Sequence, residues 1–139
     1  MLDDYRANIF IPVRITDGRL SGPDSDFKAN VVSLILSKKT EEALQSLSKV
    51  YHVDVPKLSV GHVRGKKKAA GVYVPKSKMI FVANGENLWN PSIILHEFFH
   101  HMKKLDKSKM KNEKLADAFA HDYVNAFKEQ ASRKTSSSF

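Results

Sequence analysis

The sequence predicts a single α+β domain, in which scaffold helices precede a small, mostly antiparallel sheet and two further helices follow it. Three observations carry that reading. Apolar residues recur at three- and four-residue steps between positions 24 and 51. Short runs rich in β-branched and aromatic residues, broken by turn residues, fill positions 57–82. From Asn90 onward the helical period returns twice, interrupted by a lysine-rich connection. A chain of 139 residues can bury one real core, and we place the domain over residues 1–131.

The elements follow in order. Acidic Asp3 and Asp4 and the early Pro12 argue against a secretory signal peptide, and Asn8–Ile15 reads as a short edge strand. Turn residues at Asp17-Gly18 and Ser21-Gly22-Pro23-Asp24 lead into a first helix from about Asp24 to Leu36, with Phe27, Val31, Leu34 and Ile35 on its apolar stripe. Thr40 is placed to cap a second helix whose buried stripe is Ala43, Leu44, Leu47, Val50 and Tyr51; Glu41 and Glu42 favour its positive end. His52 then reads as a polar residue at the helix end. Lys57–Val63 suggests a strand, and Ala70–Val74 with Met79–Val82 a hairpin turning at Pro75–Lys78. The basic loop Arg64–Lys68 between them reads as a solvated turn, because no aromatic residue is interleaved for base stacking.

Asn90 and Pro91 are a cap and a first helical residue, and Leu95, Phe98, Phe99, Met102 and Leu105 make an apolar stripe behind them. On that helix stands His96-Glu97-Phe98-Phe99-His100. Four residues make about one helical turn, so both imidazoles leave one face and can share a Zn²⁺ ion. Glu97 points elsewhere, where it can hold and deprotonate a metal-activated water instead of binding the metal. His101 projects about 100° round the helix from His100, away from that pair. A second helix from about Lys109 to Gln130 carries Leu115, Phe119, Tyr123, Ala126 and Phe127 as its buried stripe, with Glu113, Asp117 and His121 one turn apart on an adjacent edge. The remainder, from Ser132 to Phe139, reads as a flexible tail.

His-Glu-x-x-His is the zincin pattern. Together with Asn112-Glu113-Lys114-Leu115-Ala116-Asp117 the chain resembles the thermolysin-like gluzincins, and in its brevity the small minigluzincins. The resemblance implies a zincin-like fold and zinc-dependent cleavage of peptide bonds. It makes Glu113 the third ligand beside His96 and His100, Glu97 the general base and acid, and Asp117 the hydrogen-bond partner of a ligating imidazole. It also implies that the strand before the metal helix borders the cleft and takes up substrate as an added strand, which by position is Ile80, Phe81, Val82, Ala83 and Asn84. Tyr73, His121 and Tyr123 are the candidates for stabilising the oxyanion. His121 is the reserve ligand.

Composition sets limits on these readings. There is no cysteine, which excludes disulfides, thiolate zinc sites and a thiol nucleophile. The formal charge of +8 is compatible with a nucleic-acid partner, an acidic substrate or simple solubility. No stretch has the length of apolar sequence that a membrane span needs, and the expected compartment is the cytoplasm. Three other readings accompany the peptidase: Ala116-Asp117 with Phe119-Ala120 resembles intracellular peptidases that cleave repressor proteins; a basic nucleic-acid-binding protein could carry a structural zinc; and self-association could block the cleft.

Overall fold

A computed structural model of the chain describes residues 14–16, 19–21, 23–62, 65, 69–103 and 110–136. Among them the fold is α+β, with four helices, a three-stranded mixed sheet and a separate two-stranded ribbon. The ribbon pairs Arg14–Thr16 (β1) with Arg19–Ser21 (β2) in antiparallel fashion, on either side of Asp17-Gly18. Most of the strand expected over Asn8–Ile15 lies outside the described residues. So do Arg64 and Lys66–Lys68 of the basic loop, and residues 104–109 with Leu105.

Helix α1 (Ser25–Leu36) begins where the Asp24 carboxylate accepts the Phe27 amide at 3.0 Å, a standard cap. It buries Ala29, Val31, Val32 and Ile35. Helix α2 (Thr40–Tyr51) buries Ala43, Leu44 and Leu47 and ends on His52, which is exposed and left-handed at φ 59°. Thr40 does not cap α2 as expected: it is already helical, and its hydroxyl donates across to the carbonyl of Leu88 at 2.5 Å. The position is buried, so the hydroxyl serves the acceptor that faces it there.

Strands β3 (Lys57–Val60), β4 (Gly71–Val74) and β5 (Met79–Val82) lie in the order β3-β5-β4. β5 is antiparallel to β4 but parallel to β3, so the sheet is mixed where a mostly antiparallel one was expected. The cause is the path after β3. The chain goes on from β3 to β4 leaving a gap one strand wide, and the hairpin then returns β5 into that gap. Ile80 and Val82 point from β5 into the core.

After β5, Asn84 caps a 3-10 turn over Gly85–Trp89, its side chain accepting from the Asn87 amide at 3.1 Å. Helix α3 (Pro91–Lys103) follows, with the Asn90 carboxamide oxygen accepting from Ser92 and Ile93 at 3.0 and 3.3 Å. Helix α4 (Met110–Ser136) packs along both α1 and α3. Its buried line is Asn112, Ala116, Ala120, Tyr123 and Ala126, and Phe119 and Phe127 are half-buried. Leu115, placed on that stripe by its size, is 43 % exposed instead. Small residues bring helix backbones close together, so alanines occupy the seam and the bulky neighbour is displaced outward. The helix also runs through Ser136, beyond the expected end at Gln130, because Ala131, Arg133 and Lys134 are good helix formers and no glycine or proline intervenes. No described helix is long and apolar enough to cross a membrane.

Candidate metal centre

Helix α3 has three working faces. Ile94, Leu95 and Phe98 enter the core, joined by Tyr73, Ile80, Val82 and Tyr123. Ile93, Glu97 and His101, at steps of four, face strand β4. His96 and His100, also four apart, face α4.

Glu113 in the first turn of α4 meets both histidines. Its Oε1 is 3.2 Å from His96 Nε2, and its Oε2 is 2.5 Å from His100 Nε2. One donor atom from each of the three lies within 4.8 Å of the others. Three lone-pair-bearing atoms facing one another require something positive between them, protons or a metal cation. The buried His100 and the half-buried His96 and Glu113 can therefore hold a metal ion.

One turn along α4, Asp117 Oδ1 lies 2.7 Å from His96 Nδ1. The carboxylate can accept only if that nitrogen carries the proton, which leaves the Nε2 lone pair turned toward Glu113 and His100. Although Asp117 is 75 % exposed, the bond fixes both the tautomer and the ring orientation of His96.

Glu97 is buried, with Oε2 4.0 Å from His96 Nε2. Its lid is Gly71 at the start of β4. A Cβ at that position would stand 2.7 Å from Ile93 Cγ2 and 3.3 Å from Glu97 Cγ. Gly71 thus lets the strand approach the helix more closely than any side chain allows. Gly71→Ala is expected to destabilise the fold by about 1–3 kcal/mol through overpacking, as read from denaturant unfolding; an unchanged midpoint would show that Ile93 yields freely.

The substrate strand expected at Ile80–Asn84 is corrected by the sheet order. β5 is central, with both hydrogen-bonding edges already taken by β3 and β4, so it cannot accept another strand. Asn84 lies beyond β5 and caps the 3-10 turn instead. The open edge beside Glu97 belongs to β4, which among the described residues pairs with β5 alone. Ala83 donates to the Ala70 carbonyl at 2.9 Å, and from that register the main-chain groups of Gly71 and Tyr73 point to the open side.

The oxyanion candidates also resolve. The Tyr73 hydroxyl is 2.7 Å from His101 Nδ1, and burial raises its pKa, so it stays a protonated donor committed to that ring. Tyr123 is buried, its hydroxyl 2.7 Å from that of Tyr51, and burial pushes its pKa up as well. Each hydroxyl thus has its partner outside the His96, His100 and Glu113 group, as a buried phenol needs one. His121 is exposed and is not part of the three-residue cluster. Sequence reasoning missed Gly71 and the partners of His101. A glycine inside a strand was the available signal for the first. Comparison with known proteins adds no relative: no family model matches the chain, and neither a curated protein nor a solved structure is significantly similar to it.

Proposed function

We propose that this chain is a zinc-dependent metallopeptidase of the gluzincin type. The observation that carries the proposal is the convergence of His96, His100 and Glu113 from two helices, with Asp117 behind one imidazole and Glu97 beside the group. Two imidazoles and a carboxylate form a donor set suited to zinc with a position left open. When bound, zinc acidifies water and polarises a carbonyl oxygen.

The chain's own residues supply the rest. His96, His100 and Glu113 hold the ion, and Asp117 keeps His96 in the tautomer that can ligate. Glu97 accepts the proton of the attacking water at its carboxylate and later delivers it to the leaving amine nitrogen. Its burial excludes competing solvent from that carboxylate. The open edge of β4 offers the main-chain groups of Gly71 and Tyr73 to an extended peptide, giving affinity with little demand on side-chain sequence. The test combines metal analysis of the purified chain with cleavage of an unstructured protein. One zinc per chain and cleavage abolished by a chelator and restored by zinc are expected; metal-free cleavage, or no bound zinc, would overturn the reading.

A further inference from the structure

His101 follows directly on a residue of the metal-binding group, yet both of its ring nitrogens are engaged elsewhere. Nε2 is 2.6 Å from the main-chain oxygen of Asp54, and Nδ1 is 2.7 Å from the Tyr73 hydroxyl. A carbonyl only accepts, so Nε2 carries the proton, and Nδ1 of the neutral ring accepts from the phenol. The ring is buried and packs edge-on against Tyr73, centroids 5.2 Å apart. Three elements meet at this one side chain: α3, strand β4, and the segment joining α2 to β3.

Asp54 also reaches the far end of the hairpin. Its carboxylate takes Lys78 Nζ at 2.6 Å, and Lys78 stands in the β4–β5 turn. β4 is therefore tied to one anchor through Tyr73 within the strand and through its turn. Gly71 and Tyr73 are two residues apart, hence on one face of β4, and they meet α3 at Glu97 and His101. The bond at Tyr73 therefore acts on the same strand that closes over Glu97.

We infer that the Tyr73–His101–Asp54 bridge sets the gap between the open edge of β4 and the Glu97 carboxylate, which makes His101 and Tyr73 positioning residues for substrate and base. The inference rests on the peptidase reading for its effect on turnover, and on geometry alone for its effect on β4. A displacement of about 1 Å at reacting groups can cost up to 100-fold in rate, so the bridge has catalytic leverage although its two hydrogen bonds are made outside the His96, His100 and Glu113 group.

The experiment uses the full chain loaded with zinc and the variant Tyr73→Phe, which deletes only the hydroxyl. Hydrogen exchange at the Val72 and Val74 amides is expected to speed up by about tenfold relative to α4, the scale of one lost buried hydrogen bond. Zinc content should stay at that of the parent chain, and kcat should fall by about 10- to 100-fold. His101→Phe, which keeps a ring in place and removes both the donor for Asp54 and the acceptor for Tyr73, should produce the same local response and serves if the first variant folds poorly. Exchange accelerated equally in all elements, or kcat per folded molecule unchanged, would reduce the bridge to general stabilisation and overturn the inference. A parent chain without zinc-dependent cleavage would instead defeat the peptidase reading, and the exchange at β4 would still decide whether the bridge holds the strand.

Discussion

Glu97→Gln is expected to abolish hydrolysis while leaving the fold and the zinc in place. The substitution is close to isosteric, which matters for a side chain this buried, and it exchanges a carboxylate for a group that cannot take up a proton. General base and acid contributions are typically about 10²–10⁴-fold, and in the proposed mechanism Glu97 serves in both directions, so the loss in kcat should approach the upper figure. The measurement is the cleavage rate of an unstructured protein by parent and variant at equal zinc content, with circular dichroism to confirm the fold. A variant within about tenfold of the parent would remove Glu97 from the mechanism.

Glu113→Ala is expected to have the second large effect, and on a different quantity. It deletes the α4 member of the His96, His100 and Glu113 group and leaves two imidazoles on one helix. Removing residues that merely orient a ligand costs about 10–100-fold in metal affinity, so if Glu113 is the proposed third ligand its removal should exceed that range. The consequence reaches stability, because an ion held by α3 and α4 together binds the folded chain and not the unfolded one. At a free zinc concentration about 100 times the dissociation constant, the parent should gain about 2.7 kcal/mol. Thermal unfolding with and without zinc reads this directly: the parent should shift by several degrees and the variant hardly at all. Equal shifts in both would place the third ligand elsewhere.

That the residues of the candidate metal-binding group would come together was legible because their placement is governed by local rules. Asn90 and Pro91 start α3, and a four-residue step then puts His96 and His100 on one face whatever the surroundings. The same step puts Asp117 within 2.7 Å of His96 once Glu113 has docked. What sequence could not reveal depends on partners distant in the chain. Whether β5 sits at an edge or in the centre is decided by where the connection after β3 delivers β4, and no alternation within Met79–Val82 records that. Leu115 and Ala116 exchange their expected places because helix contact selects for small size, which a hydrophobic pattern ranks low. His101 looked like an idle neighbour of His100, since its partners Tyr73 and Asp54 are 28 and 47 residues away in the chain.

The central position of β5 also bears on the order in which the sheet can assemble. β3 ends before β4 begins, yet its ladder is made with a strand that comes later than both. The β4–β5 hairpin needs only a four-residue turn and can close within microseconds on its own. Among the described residues β3 pairs with β5 alone, so its pairing is a late, long-range event that reports on the hairpin's integrity. Damage to the turn at Pro75–Lys78 is therefore transmitted to β3, on the side of the sheet farthest from the metal-binding group.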